Sequence, residues 1–495
     1  NNVRAEGARV EVKAGRLYRK QVYQGVPLTF GLAGAESIDT VRITWANGLI
    51  QNESQQAVGQ AHVYEEKPRL SGSCPMIFTW NGREFEFISE VLAVAPLGTS
   101  LGEGKFFPVD HDEYVSIDGG ALKPRDGFYE IRITEELREV AYIDQVKLIA
   151  VDHPSDVDIF SSEKFKAPPF PEFHLYGVSE RHYPRRAADH HGHDVRDRLV
   201  KRDRRYPDDF KRDFAGRAEH HSLTLDFPSL RGRDDVVLFL HGWVDWADAS
   251  ILVASGQSKQ SAMQLPSLQV RDAQGDWVTV VADMGLPAGR PRTITVDLGG
   301  KFLSDAREVR ILTNMCLYWD EVFAAVDTRS PESKLTPLLP QETELRFRGF
   351  SDLKLHPQRK QPERYDYARV HLTSMWNPTP GMYTRYGEVR ELLAAVDDRF
   401  VVLGAGDELV LRFPAAGLPD LPRGWRRDFL LFADGWAKEN EANTAFGDSV
   451  EPLPFHAMTG YPYGPSERYP DGEIHRRYLR EYNLRGALRL IRPLR

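Results

Sequence analysis

The sequence predicts a mostly β fold, built from several antiparallel β-sandwich or jelly-roll modules with long loops and few short helices. Three observations carry this. Apolar and polar residues alternate with period two in run after run, as half-buried antiparallel strands require; Ala8-Arg-Val-Glu-Val-Lys13, Val41-Arg-Ile-Thr-Trp45, Tyr129-Glu-Ile-Arg-Ile-Thr134 and Ser222-Leu-Thr-Leu-Asp-Phe227 are examples. Asn47-Gly48, Asn81-Gly82 and Asp126-Gly127 fall between such runs, where hairpins need positive φ. Long amphipathic helical patterns are scarce, and residues 389–396 form the clearest short one.

Taken in order, the chain divides into four segments. Its 495 residues exceed what one hydrophobic core supports. A small β domain is expected over residues 1–66, ending near Lys67-Pro68. Residues 67–230 form a second β-rich domain. Within it, residues 155–218 break into Pro-rich Ala167-Pro-Pro-Phe-Pro171 and a charge-dense stretch from Arg181 to Arg212, the mark of a long surface insertion packed against its neighbours. Residues 231–335 repeat strand signals at short spacing, from Asp235-Val-Val-Leu-Phe-Leu240 to Val309-Arg-Ile-Leu312, as a jelly-roll-like sandwich does. Residues 336–495 read as a C-terminal β-rich domain with long loops and a Tyr/Arg-rich tail, Tyr461 to Arg485, suited either to docking on a partner or to wrapping its own domain.

Composition narrows the function classes. With 41% hydrophobic and 27% charged residues the chain is globular and not disordered. A formal net charge of -8 supplies no drive toward nucleic acid or an anionic membrane. No apolar run approaches the roughly 18 residues that span a bilayer. The start at Asn1-Asn2-Val3 reads as a piece of a longer precursor. Two cysteines, Cys74 and Cys316, leave open one long-range disulfide or two buried thiols.

The stretch Asn2 to Gly15, with Leu28-Thr-Phe-Gly31-Leu-Ala-Gly34, Ser37 to Trp45, Gly48 and Gln51, resembles the ASPIC/UnbV domain. That domain typically follows FG-GAP propeller repeats in secreted proteins of the cartilage-acidic-protein type, and no such repeats occur here. Further along, Cys74-Pro75 to Gly82, Val151-Asp-His-Pro154, Tyr383 to Gly387 and Glu451-Pro-Leu-Pro-Phe-His456 resemble the C-terminal extensions of some bacterial FG-GAP proteins. The resemblance implies an extracellular or cell-surface setting, with the periplasm as an alternative, and no particular reaction.

Candidate sites follow from residue chemistry. In Asp434-Gly-Trp-Ala-Lys-Glu439-Asn-Glu441-Ala-Asn443, oxygen-bearing side chains stand at alternate positions, which suits Ca2+ if the segment is a tight loop and a solvated turn otherwise. Trp243 and Trp246, with Asp245 and Asp248, combine aromatic faces and hydrogen-bonding carboxylates, as a carbohydrate platform does; Trp277 and Trp319 are expected in the core. His190-His191-Gly192-His193, near His182, His220 and His221, carries the donors of a zinc or copper site. Crowding in a flexible loop and the interleaved Arg185, Arg186, Arg196, Arg198 and Arg202 argue for a solvated loop instead.

No catalytic residue is assigned. Leu238-Phe-Leu-His241-Gly242 lacks a downstream nucleophile elbow, and Gly404-Ala-Gly406 and Gly299-Gly-Lys301 complete no phosphate cradle. Asp397-Asp398 and Glu135-Glu136 read as solvated or salt-bridged charges. The expectation is a secreted or cell-surface, non-enzymatic binding or adhesion protein, recognising glycan or an extracellular protein, assisted by Ca2+. The alternatives are a structural subunit of a self-assembling extracellular filament and a glycan-active hydrolase using carboxylates such as Asp245 and Asp320.

Overall fold

The computed structural model describes residues 4–45, 50–66, 75–257, 262–287, 290–326, 328, 332–358, 360–372, 378–441 and 443–487. Asn47-Gly48, Cys74 and the Lys67-Pro68 boundary lie outside them. The fold is mostly β, with many antiparallel sheets and two α-helices among the described residues, Ala249–Gly256 and Glu473–Glu481. The helical pattern at 389–396 forms only a 3-10 turn, Arg390–Leu393. No helix among the described residues is long and apolar enough to cross a membrane.

The N-terminal sheet has four strands in the order Leu17–Val22, Arg9–Ala14, Ser37–Thr44, Ile50–Ala57. Its alternation buries Ala8, Val12, Val41 and Ile43 with Trp45 in a core of its own. Charged neighbours such as Lys13 remain outside and pair at the surface, here with Asp39 at 3.2 Å.

Two sheets form the next sandwich. One runs Glu342–Phe347, Asp407–Pro414, Phe128–Thr134, Met76–Trp80, Phe85–Glu90; the other runs Lys334–Leu338, Val140–Pro154, Trp425–Lys438, Asp112–Ile117. Tyr129 of the first packs on Phe429 of the second, ring centroids 4.8 Å apart, and both sheets feed one apolar cluster. Strands near residues 76–154 thus interleave with strands near 334–438. The sequence reading set these segments in separate domains, whereas the pairing makes them two halves of one sandwich. Local alternation finds the strands but carries no record of which distant strand each one joins. The Asn81-Gly82 and Asp126-Gly127 turns form as expected, with φ of +99° at Gly82 and +82° at Gly127.

A second sandwich combines Arg186–Ala188, Arg217–Asp226, Glu308–Met315, Ser267–Arg271, Trp277–Val281 with a three-stranded sheet of Arg292–Asp297, Val237–Val244 and Leu317–Ala325. Period-two alternation serves both faces of the smaller sheet. Leu238 and Leu240 enter the main core, while Val237 and Phe239 meet Phe160, Tyr176 and Val178 of a separate hairpin. The charge-dense insertion is ordered by packing: Leu199 and Tyr206 are buried, and Arg181 and Arg202 both reach Glu321, at 2.7 and 2.9 Å.

His241 lines a cavity between the two sandwiches and donates to or accepts from Thr293 Oγ1 at 3.1 Å. Burial, helped by the positive charge of Arg202, pushes its pKa down to about 3. A depressed folded-state pKa contributes stability that is fully present above the ordinary value of 6.5 and is lost as the pH falls toward 3. His241→Gln is therefore expected to flatten the acid limb of unfolding free energy over that window, read by denaturant titrations at successive pH values. An unchanged limb would contradict the assignment.

Candidate functional site

The strand Trp425–Lys438 lies between Val140–Pro154 and Asp112–Ile117, and toward its C-terminal end five polar side chains from five chain segments converge. The register explains how. Val140–Pro154 carries an extra residue between Ile143 and Gln145, so Asp144 sits at a bulge, opposite the Asp434-Gly435 step. Gly435, at φ +144°, donates its N–H to His111 O at 2.7 Å and so fastens the segment carrying His111 beside Asp434. Beyond the strand the chain returns through a long loop that brings His456 to the same place.

The hydrogen bonds form a chain. Asp434 Oδ2 meets His111 Nδ1 at 2.9 Å, and its Oδ1 meets His456 Nε2 at 2.8 Å. The other nitrogen of His456, Nδ1, meets Asp398 Oδ1 at 2.7 Å, with Asp144 Oδ2 at 3.6 Å. Asp144 Oδ2 in turn accepts from the N–H groups of Asp397 and Asp398, at 2.9 and 2.8 Å, and Asp398 Oδ1 also accepts from His456 N at 2.8 Å. Trp436, two positions from Asp434 and so on the same face, packs on His456 with centroids 4.8 Å apart. Asp434 and Asp144 are buried and His456 is mostly covered, while the His111 side chain is 44% exposed and opens the site to solvent.

Electrostatics match this geometry. Burial opposes charge on Asp434, yet the hydrogen bonds from His111 and His456 outweigh it and hold the carboxyl below its usual range. Burial also opposes charge on His456, and its bonds to Asp398 and Asp434 reverse that, raising it to about 10. Asp144, whose Oδ1 is buried without a hydrogen-bond partner among the described residues, is pushed up to about 7 by burial, against the donation from Asp398 N–H. The ligand atoms of His111, Asp434 and His456 lie within 4.8 Å of one another, as do those of Asp144, Asp398 and His456.

Of the residues that the sequence suggests for Ca2+, only Asp434 belongs to this cluster. The segment is not one tight loop: the strand continues to Lys438, and an extended chain at about 3.3 Å per residue carries Glu439 some 16 Å beyond Asp434. Glu439 accepts from Arg138 at 3.0 Å, Glu441 pairs with Ser250, and Asn443 donates to Ser250 Oγ at 2.7 Å. Nothing in the sequence pattern exposes His111 and His456, which stand 323 and 22 residues from Asp434. Asp397 and Asp398 are both salt-bridged: Asp398 pairs with His456 Nδ1 at 2.7 Å and orients the ring, and Asp397 pairs with Arg399 at 2.7 Å.

The proposed carbohydrate platform is taken apart by packing. Trp243 is buried and stacks on Tyr318 at 4.5 Å, so it offers no face to a sugar. Trp246 is half-buried against Phe165, Asp245 is buried beside Arg212, and Asp248 caps Ala249–Gly256 by accepting from Ile251 N at 2.7 Å. Alternation alone placed Trp243 in a turn, but the strand Val237–Val244 runs through it. Trp319 is core as expected, whereas Trp277 lies half-buried between Arg271 and Arg310. Trp243→Ala is expected to lower stability by about 3–5 kcal/mol through the cavity it leaves, read by denaturant unfolding. A loss under about 1 kcal/mol would contradict its place in the core.

Asp320, weighed for hydrolysis with Asp245, accepts from Asp203 N and Arg204 N at 3.2 and 2.8 Å and closes a turn. Glu135 and Glu136 are buried, with Glu136 held by Ser351. Cys316 is a buried free thiol. The aromatic tail wraps its own sandwich, with Tyr478 Oη donating to Phe400 O at 2.8 Å.

No family model, curated protein or solved structure matches this chain.

Proposed function

We propose that the chain is a divalent-metal-binding module whose centre is His111 Nδ1, the Asp434 carboxylate and His456 Nε2. One observation carries this reading: His456 turns Nε2 toward Asp434 and His111 while Asp398 holds its opposite nitrogen at 2.7 Å. Metal-ligating histidines are oriented in this way, the far N–H fixed by a carboxylate that sets the tautomer and raises basicity. Two imidazoles and one carboxylate suit zinc or a neighbouring transition metal and not calcium, which takes six to eight oxygens.

Three protein ligands leave a coordination position free for water or an incoming oxygen donor. Solvent access past the half-exposed His111 supports that opening. In the extracellular setting that the sequence resemblance implies, the module binds its glycan or protein ligand through the metal, with the ligand oxygen completing the coordination sphere.

The test is competition between the chain and a chromophoric chelator for zinc at neutral pH, run on the wild type and on His111→Ala. A tightest equivalent of zinc in the wild type, weakened at least tenfold by His111→Ala, supports the reading. Equal affinity in both chains refutes it.

A further inference from the structure

The segment Asp189-His190-His191-Gly192-His193, read from sequence as a flexible solvated loop, is a closed turn. Ala188 and Asp194 bridge across its base, Asp189 N donates to His193 O at 3.1 Å, and Gly192 N donates to Asp189 O at 3.0 Å. Asp189 Oδ1 accepts from both His191 N and His193 N, each at 2.9 Å. Gly192 takes φ +84°, the left-handed conformation this reversal needs.

Four of the five arginines that argued against a cation are engaged elsewhere. Arg185 pairs with Asp226 at 3.3 Å, Arg196 donates to Pro184 O at 2.8 Å, Arg198 pairs with Asp208 at 3.0 Å, and Arg202 pairs with Glu321 at 2.9 Å.

The turn lays His190 and His191 side by side, centroids 3.8 Å apart, against Glu219 of the strand Arg217–Asp226. The ligand atoms of these three residues fall within 4.8 Å of one another. Glu219 Oε1 lies 3.5 Å from His190 Nε2 and is held in place by the Lys211 N–H at 2.7 Å. A separate observation points to a ligand: His190 Nε2 is buried, and the Glu219 carboxylate at 3.5 Å is too far from it for a full hydrogen bond. A cavity of about 30 Å³, lined in part by Asp189, His190, Asp209, Phe210 and His221, adjoins it. That volume is about one water's share of the liquid, room for a small ion with a bound water.

We propose that His190, His191 and Glu219 form a second metal site, distinct from the His111–Asp434–His456 centre, for a late first-row divalent ion with copper(II) as its tightest occupant. Imidazole favours such ions, and affinity at a nitrogen and oxygen site peaks at copper. Bonds of about 2.0 Å set neighbouring donors of a tetragonal copper(II) ion about 2.8 Å apart, so donors within 4.8 Å of one another close by shifts of about 1 Å each. His191, which is exposed, and Glu219, which is half-buried, have the freedom to make them.

The experiment titrates copper(II) into full-length His111→Ala and reads the bound ion by electron paramagnetic resonance. In that background the first centre offers at most one histidine nitrogen, so superhyperfine structure from two nitrogens at one equivalent assigns the ion to the turn. Adding His190→Ala is expected to weaken binding at least tenfold and remove one nitrogen, and Glu219→Gln to weaken it without changing the nitrogen count. Both positions lie on a surface turn or are partly exposed, and unchanged thermal melts confirm folding. A single-nitrogen spectrum, or copper affinity indifferent to His190→Ala and Glu219→Gln, overturns the proposal. The His111 variant separates its failure from that of the first centre.

Discussion

Replacing Asp434 with Asn is expected to lower zinc affinity by more than 100-fold, the largest functional effect of any single change in this protein. Asp434 joins the two histidines through opposite oxygens, at 2.9 and 2.8 Å, and supplies the only anionic ligand among the three. The amide removes that charge and gives one oxygen in place of two. Asp398→Asn tests the supporting layer separately. Asp398 touches His456 Nδ1 and not the ion, so its loss is expected to cost 10- to 100-fold, the range typical of partners that orient a ligating imidazole. His371→Ala is the control: this exposed histidine pairs with Asp352 at 3.2 Å at the surface, and zinc affinity is expected to stay unchanged. Equilibrium dialysis with metal quantification reads all three. Equal affinities for wild type and Asp434→Asn would contradict the centre.

Gly435→Ala is expected to have the largest effect on stability. A Cβ built at Gly435 falls 1.9 Å from Tyr142 O and 3.0 Å from Tyr142 C, and the backbone φ of +144° is one that L side chains rarely adopt. Both clashing atoms belong to the backbone of the paired strand Val140–Pro154, so relief requires opening the longest ladder in the molecule. The same residue donates the N–H that fixes His111. The expected cost is about 4 kcal/mol or more, at the upper end for point substitutions, together with loss of metal binding. Gly460→Ala is the comparison, since its Cβ meets nothing within 4 Å, and it is expected to stay within about 0.5 kcal/mol of wild type. Thermal and denaturant unfolding of the two variants decide the matter, and a small loss for Gly435→Ala would show that the bulge tolerates a side chain.

How much of this was legible in the sequence depends on the range of the signal. Period-two alternation is a local property, and it located strands such as Arg9–Ala14, Ser37–Thr44, Phe128–Thr134 and Val237–Val244 together with the mostly β class. Turn chemistry at Asn81-Gly82 and Asp126-Gly127 was equally local. Pairing partners are not legible, because the strand Asp407–Pro414 joins Phe128–Thr134 across more than half the length of the chain and only the folded register specifies that. The helix Glu473–Glu481 escaped notice because it is short and strongly polar, burying only Tyr478.

The candidate site failed to show for the same reason. His111, Asp144, Asp398, Asp434 and His456 share no spacing motif, and they meet only once three strands and a returning loop are in place. Asp434 is the one residue of its segment in the site, because it lies on the strand Trp425–Lys438 while Glu439, Glu441 and Asn443 fall beyond the strand's end and away from it. Trp243 shows the opposite error. An aromatic beside carboxylates looks like a ligand platform in one dimension, and stacking on Tyr318 makes it core in three. The histidine turn is visible as composition, while only the fold shows that four of the five arginines interleaved with it hold partners of their own.

The most direct measurement is anomalous scattering at the zinc absorption edge from crystals of the chain grown with stoichiometric zinc. The account predicts a peak about 2.0–2.2 Å from His111 Nδ1, Asp434 and His456 Nε2, with Asp398 still on His456 Nδ1. Fully occupied zinc elsewhere, with the hydrogen bonds from Asp434 to His111 and His456 intact and no peak between them, would contradict it.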